Sequence, residues 1–227
     1  MIEFRNVTAV RKKRRSPDRL SFKLNNGSIY GILGRDGVAQ EIARLLSGVT
    51  LPSEGSVRIN GFDLEREPLR AKEFLGFVPA APALYGAMTP VEYLLFLADV
   101  RQFEYEKSIR RIGEMLSLAG LTSKKNSLIS SLSEAEKQRL SLVQAALCNA
   151  SILILEDPFA AREFREAERL SSLIEDLSAE KTVIICAETK KYLKKLCDVI
   201  YTTDGTALYA EESAEETEDT EEEEAKD

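Results

Sequence analysis

The sequence contains no histidine, and only three of its 227 residues are cysteines. The absence of histidine excludes catalytic triads that use an imidazole base and metal sites with imidazole ligands. Cys148, Cys186 and Cys197 lack the spacing of a zinc site or a redox motif, which favours a reducing cytoplasm. No apolar run approaches the roughly 18 residues of a membrane span, and the first ten residues lack the features of a signal peptide. We therefore expect a soluble intracellular protein.

Charge is distributed very unevenly along the chain. The net charge is −7, yet residues 211–227 alone hold eleven acidic residues and one lysine. Without this segment the net charge is +3, and its composition predicts a solvated, disordered extension. A basic run at residues 11–15 (RKKRR) is of a type that can bind nucleic acid or anionic lipid, although such a run more commonly forms a basic hairpin tip.

Residues 28–47 (SIYGILGRDGVAQEIARLLS) combine an apolar strand, a loop with two glycines and an amphipathic helix. This order is typical of a phosphate-binding loop, here called a phosphate cradle, because backbone N–H groups converge in the loop and the helix adds the positive end of its dipole. In the pattern G-x-x-x-x-G-K-[ST], Gly34 takes the first position. Ala39 then replaces the second glycine, Gln40 the lysine and Glu41 the hydroxyl residue. The stretch therefore predicts the geometry of a cradle without its chemistry, or an ordinary strand–loop–helix turn.

The periodicity of the remaining chain predicts an α/β fold with a largely parallel sheet. Apolar runs typical of strands alternate with helical patterns after residue 150, whereas residues of about 75–150 are mostly helical. Asn25, Asn26 and Gly27 predict a hairpin between residues 20–24 and 28–33, and Asn60 with Gly61 predicts a second one. Ser133 and Glu136 form a capping box ahead of a long helix.

Four stretches then carry a resemblance to a known family. LSEAEKQRL (132–140) resembles the LSGGQ-type signature of ATP-binding-cassette (ABC) ATPases, and ILILEDPFA (152–160) resembles their Walker B strand. Residues 76–101 resemble their Q-loop and the helices that follow it, and residues 197–208 their closing hairpin. Together with the Walker A region the resemblance covers about residues 1–210. It implies a P-loop NTPase-like ABC ATPase fold with a mainly parallel core sheet, an antiparallel β subdomain and a helical subdomain at about 75–150.

Aligned on this family, the chain departs from it at most positions that contact nucleotide. The adenine-stacking aromatic falls at Arg11, the Q-loop glutamine at Ala80 and the switch histidine at Glu188. The magnesium aspartate and catalytic glutamate of Walker B fall at Glu156 and Asp157. The Walker A positions are Gly34, Arg35, Asp36, Gly37, Val38, Ala39, Gln40 and Glu41, and the signature positions are Leu132, Ser133, Glu134 and Ala135.

The resemblance thus implies an ABC transporter subunit that is degenerate as an ATPase, with at most weak binding of ATP and magnesium and no resident metal. It implies two partners, a membrane permease and a second, intact ABC ATPase in a heterodimer, at the cytoplasmic face of the membrane; no nucleic acid is expected. Ser133 would then contact ATP held by the partner, or would serve only as an N-cap. Two alternatives stay open: an active ATPase that uses Glu156 and Asp157, and a soluble scaffold outside transport.

Overall fold

The computed structural model describes residues 1–9, 17–148, 150–160, 163–179 and 181–211. Arg11, the basic run at 11–15 and residues 212–227 of the acidic segment lie outside the described residues. The strands of the described ranges are, in chain order, β1 (Ile2–Thr8), β2 (Leu20–Leu24), β3 (Ile29–Gly34), β4 (Glu54–Ile59), β5 (Phe62–Asp63), β6 (Leu75–Val78), β7 (Ile152–Glu156), β8 (Thr182–Ala187), β9 (Val199–Thr203) and β10 (Leu208–Ala210). The α-helices are α1 (Val38–Ser47), α2 (Pro68–Lys72), α3 (Pro90–Val100), α4 (Tyr105–Leu118), α5 (Glu134–Leu147), α6 (Phe164–Ser178) and α7 (Leu193–Leu196).

The strands form two sheets. The larger sheet has six strands in the order β10-β9-β3-β8-β7-β6, and all its pairings are parallel except the antiparallel β9–β10 edge. The smaller sheet has the order β2-β1-β4-β5 and is antiparallel throughout. The mainly parallel core sheet and the antiparallel β region expected from the sequence are confirmed.

The large sheet is buried on both faces, which explains why its central strands are almost continuously apolar. In β7, Ile152 and Ile154 point into a core shared with α1 and the small sheet, whereas Leu153 and Leu155 point into a core shared with α3, α4 and α5. The first core joins the small sheet to the large sheet, and the second core joins the helices of residues 90–147 to the large sheet. Strand β6, at the start of the predicted helical region, belongs to the large sheet.

One of the two predicted hairpins is wrong. Strand β2 pairs with β1 in the small sheet, whereas β3 lies between β8 and β9 in the large sheet, so residues 25–28 connect two sheets. The reason is the apolar character of β3 on both faces: Ile29, Tyr30 and Ile32 are all buried, as a central strand requires. The second hairpin is confirmed, because Asn60 and Gly61 join the antiparallel strands β4 and β5.

Candidate functional site

Four loops meet at one edge of the large sheet. Because β3, β8, β7 and β6 run parallel, their carboxyl ends lie at the same edge, where α/β sheets place their ligand sites. The loop of residues 35–37 follows β3, Ala80 lies shortly after β6, Asp157 follows β7 and Glu188 follows β8. The structure thus gathers the predicted Walker A, Walker B, Q-loop and switch positions at one place.

The loop after β3 has the compact geometry that the sequence predicts. Asp36 and Gly37 both have positive φ (58° and 83°), and α1 begins directly at Val38. A Cβ on Gly34 would lie 2.9 Å from the backbone nitrogen of Ala39, so only glycine fits there. Gly37, the N-cap residue of α1, provides no side-chain hydrogen bond to the helix. The N–H of Val38 donates to the carbonyl of Arg35, and the other N–H groups at the start of the helix need acceptors from elsewhere.

Glu188 supplies one of these acceptors. Its Oε1 accepts a hydrogen bond from the backbone N–H of Gly37 at 3.0 Å, across 151 positions of the sequence. A carboxylate at a helix N-terminus is favoured both by the hydrogen bond and by the helix dipole. An N–H group of the cradle is therefore already bonded to an anion of the protein itself.

Gln40, at the predicted Walker lysine position, is bonded to Asp157, a predicted Walker B residue. Its Nε2 donates to Oδ2 of Asp157 at 3.4 Å, while its Oε1 is buried and has no hydrogen-bond partner among the described residues. Burial raises the pKa of Asp157, and the negative charge of Glu188 raises it further, against the lowering effect of the Gln40 bond. The amide thus stabilises a carboxylate that burial and charge disfavour, and it provides no cation.

Glu41, at the Walker Ser/Thr position, is only 3% exposed, and its Oε1 accepts a hydrogen bond from Oγ1 of Thr50 at 3.0 Å. Thr50 lies just after α1. Ala39 is fully buried in the core, so the extra methyl group packs inward. These two departures from the family pattern are therefore integrated into the packing of α1.

Arg44 lies one helical turn after Gln40 on α1, and its guanidinium Nε is 2.7 Å from Oε1 of Glu156, which is 3% exposed. The second oxygen, Oε2, accepts the backbone N–H of Ala80 at 3.4 Å. Both oxygens of the first Walker B carboxylate therefore bond to protein groups. Sequence reasoning missed Arg44; its spacing of four residues from Gln40 was the available signal, because i and i+4 share a helix face.

A cavity of about 570 Å³ adjoins the loop on the β9 side. Arg35, Asp36, Glu188 and Lys190 are among its lining residues, and Lys190 forms an ion pair with Glu211, the first residue of the acidic segment. Charges of both signs thus meet beside the loop.

These residues do not fit a magnesium–triphosphate group. Such a ligand needs free loop N–H groups, a cation on the phosphates and a hydroxyl and carboxylate on the metal. Here Glu188 takes the Gly37 N–H, Gln40 stands in place of the cation, and Arg44 takes the carboxylate of Glu156. Within the described ranges, no group of three or more acidic or cysteine side chains is arranged to hold a metal ion.

The predicted signature positions lie at the start of α5. Ser133 is the N-cap and forms a complete capping box with Glu136, which confirms that prediction. Ser133 and Glu134 are exposed, Leu132 is buried, and Ala135 is half-buried. Glu134 pairs with Lys137 at 2.8 Å. The exposed hydroxyl of Ser133 still has a proton to donate, because the capping box uses it only as an acceptor.

No helix in the described parts of the chain is long and apolar enough to cross a membrane.

The chain is similar to several ATP-binding proteins. It is 25% identical to the linearmycin resistance ATP-binding protein LnrL of Bacillus subtilis, over 88% of this chain and 65% of that one. It is 26% identical to the methionine import ATP-binding protein MetN 2 of Salmonella paratyphi A, over 84% of this chain and 59% of that one. It is 28% identical to the Nod factor export ATP-binding protein I of Rhizobium etli, over 92% of this chain and 67% of that one. The chain thus spans about three fifths to two thirds of these relatives.

Solved structures agree on the fold. A dimeric ATP-binding cassette, MJ0796, bound to ADP and Pi, superposes with a TM-score of 0.81 at 20% identity, over 94% of this chain and 99% of that one. CbiO1 of Clostridium perfringens, part of the ABC transporter complex CbiONQ, superposes with a TM-score of 0.80 at 16% identity, over 92% and 86%. The family described as "ABC transporter" matches residues 17–160, which is more than half of the chain. With this match and the gathered motif positions, the chain belongs to the ABC transporter family, in the class of its ATP-binding subunits.

Proposed function

We propose that this chain is a degenerate cassette, a pseudo-ATPase that pairs with a catalytically intact cassette beneath a membrane permease. In this proposal it sits at the cytoplasmic face of the membrane and contributes structure and a signature surface. Residues 1–210 form the cassette, residues of about 75–150 its helical subdomain, and residues 211–227 an acidic extension of the cassette. The runner-up is an active ATPase with atypical motifs.

The observation that carries the proposal is the hydrogen bond from Gln40 to Asp157, at the position where an active cassette places a lysine. A lysine ammonium about 4 Å from a phosphate charge contributes roughly 4 kcal/mol at an effective dielectric near 20, which corresponds to a factor of about a thousand in affinity. Asp157 and Glu188 add negative charge to the same place. Phosphoryl transfer depends on positioning and on neutralising charge, so hydrolysis is more impaired than binding.

The signature helix supports the pairing with a second cassette. The hydroxyl of Ser133 is exposed at the N-terminus of α5, where the helix dipole favours an anion. Glu134 opposes an anion there, but its pairing with Lys137 at 2.8 Å offsets part of its charge. A homodimer would combine two impaired loops, whereas a heterodimer would present Ser133 to ATP held by an intact partner.

The direct test is isothermal titration calorimetry of the full chain with Mg-ATP. We expect a dissociation constant weaker than about 1 mM, since the missing ammonium alone costs about a thousandfold. A variant with Gln40→Lys, Glu41→Ser and Glu188→His restores the family's residue types. It should bind at least about tenfold more tightly, because it regains the ammonium and loses two carboxylates.

A matched control for this variant is Glu65→Lys with Glu106→Ser. Both residues are exposed, and the pair changes the net charge by the same amount away from the site. The control should bind as weakly as the native chain. Micromolar binding by the native chain, with magnesium-dependent turnover that Asp157→Asn abolishes, would instead establish the active ATPase.

The partners are tested by purifying the tagged chain from membranes of the cells that produce it. We expect an intact cassette and a permease in the same complex. Recovery with soluble partners alone would contradict the transport role and support a scaffold.

A further inference from the structure

The candidate site holds side chains of its own at two places where the family binds parts of magnesium–ATP. We infer that the cassette is self-liganded: the Glu188 carboxylate occupies the loop in place of a phosphate, and the Arg44 guanidinium occupies Glu156 in place of a metal ion. This inference rests on the proposed function and explains how a cassette without nucleotide keeps its ligand-binding loop in shape. The internal ligands order the loop and the segment after β6 permanently.

Glu188 has the right chemistry and position for the first role. Helix α1 lacks a side-chain cap of its own, and the Oε1 of Glu188 lies 3.0 Å from the N–H of its N-cap residue, Gly37. Carboxylate and phosphate oxygens are equivalent acceptors for such an N–H group, and both are favoured by the helix dipole. Glu188 directly follows β8, whose parallel pairing with β3 places the carboxylate beside the loop.

Arg44 has the matching position for the second role. Glu156 is almost fully buried, and a buried carboxylate is costly unless it is paired and hydrogen-bonded. The Nε of Arg44 lies 2.7 Å from its Oε1, so the positive charge that a metal ion would bring comes from α1 itself. Both α1 and β7 are thereby tied together without a bound ion.

The same carboxylate connects the site to the helical region. Oε2 of Glu156 accepts the N–H of Ala80, and the carbonyl of the preceding residue, Pro79, accepts Nε2 of Gln138 on α5 at 3.3 Å. A continuous series of hydrogen bonds therefore runs from Arg44 through Glu156 and residues 79–80 to α5. This series connects α1 to α5 through protein groups.

The test is hydrogen–deuterium exchange of the full chain without nucleotide. In Glu188→Ala we expect the amides of residues 37–41 to exchange about tenfold faster, because Gly37 loses its acceptor. Glu188→Gln keeps an acceptor oxygen and should show a smaller increase. Arg44→Ala should accelerate exchange of the Ala80 amide. Lys107→Ala breaks an exposed ion pair between α4 and its N-cap residue, Glu104, and serves as the control that leaves both segments unchanged.

Rescue separates an internal ligand from an ordinary structural contact. Added inorganic phosphate should restore protection of residues 37–41 in Glu188→Ala and should leave the native chain and Arg44→Ala unchanged. Unaltered exchange in Glu188→Ala, or faster exchange that phosphate does not reverse, would overturn the inference. If Glu188→Ala does not fold, Glu188→Leu, which is similar in size and has no acceptor, decides by the same two criteria. Calorimetry of the native chain tests the proposed function separately, because exchange is measured without nucleotide.

Discussion

Asp157 is the residue at which burial and charge oppose ionisation together. It has a positive φ of 44°, its N–H donates to the carbonyl of Cys186 at 2.8 Å, and its carboxylate lies near those of Glu188 and Glu156. Burial is the largest cause of its raised pKa, followed by the charge of Glu188. The hydrogen bond from the Gln40 amide favours the ionised form and lowers the pKa. The position is therefore strained electrostatically in the folded protein.

This strain predicts a pH dependence of stability. Because the pKa of Asp157 is raised on folding, the folded state binds a proton more tightly than the unfolded state. The contribution of Asp157 to the free energy of unfolding is fully present below the pKa that this carboxyl has in the unfolded state. It is lost as the pH rises through the pKa that the carboxyl has in the folded state. Asp157→Asn removes the charge and keeps an acceptor for Gln40. We expect the variant to melt about 2 °C higher at neutral pH, an increment typical of a fraction of a kcal/mol in a chain of this size.

The measurement is thermal unfolding of native and variant protein across acidic to neutral pH. The gain from Asp157→Asn should shrink as the pH falls, because the native aspartate becomes protonated as well. Glu114→Gln, at an exposed position in the interior of α4, is the control, and it should show neither the gain nor its pH dependence. An Asp157→Asn variant less stable than native at neutral pH would contradict the proposed conflict.

At the scale of elements, the contact of α5 with β6 depends on a glycine. A Cβ on Gly76 would lie 2.7 Å from the carbonyl oxygen of Ala145 and 2.8 Å from Cδ2 of Leu153. Gly76→Ala should therefore push α5 away from the sheet and lower the free energy of unfolding by about 2 kcal/mol. Chemical denaturation measures the loss.

Gly113 provides the matched control for this substitution. It lies in α4 and is exposed, and apart from its own helix backbone no atom of the described residues lies within 4 Å of an added Cβ. Gly113→Ala should raise the free energy of unfolding by about 0.5–1 kcal/mol, because alanine has the higher helix propensity. Equal effects of the two substitutions would mean that the spacing between α5 and β6 does not limit stability.

Elements with a strong local signal could be predicted from the sequence. The capping box at Ser133 and the turn at Asn60 and Gly61 are encoded by a few adjacent residues, and both were predicted correctly. The turn signal at residues 25–27 was equally local and misled, because the pairing of β3 is decided by distant strands that cover both of its faces. Local turn chemistry does not report which sheet a strand joins.

Parts of the candidate site could likewise be predicted from the sequence, and other parts could not. The loop after β3 was predictable because its glycines are required by backbone geometry. The bonds from Glu188 to Gly37 and from Arg44 to Glu156 join residues that are 151 and 112 positions apart. Such pairs depend on which strands end side by side. The sequence therefore indicated which ligand groups are missing, but not which side chains replace them.

At the scale of the whole molecule, stability and nucleotide binding are separable. The two hydrophobic cores fasten both sheets and the helices to one another through contacts that involve none of the loop residues 35–37. The fold can therefore persist while the chemistry of the loop changes. The networks of Glu41, Glu156 and Glu188 make the altered residues part of the packing, which is consistent with a cassette that does not depend on nucleotide.

This separation predicts how the melting temperature responds to nucleotide. A ligand that binds only the folded state stabilises it by RT ln(1 + [L]/Kd), so ATP at a concentration equal to a Kd of about 1 mM adds only about 0.4 kcal/mol, or about 1 °C. Differential scanning fluorimetry of the isolated chain should thus show a shift of no more than about 1 °C with Mg-ATP. The complex with an intact cassette should melt several degrees higher with Mg-ATP, because the partner's loop binds the triphosphate. Ser133→Ala should reduce that second shift if the hydroxyl contacts the partner's nucleotide, and should leave the first unchanged. A shift of several degrees in the isolated chain would instead place a competent ATP site within it.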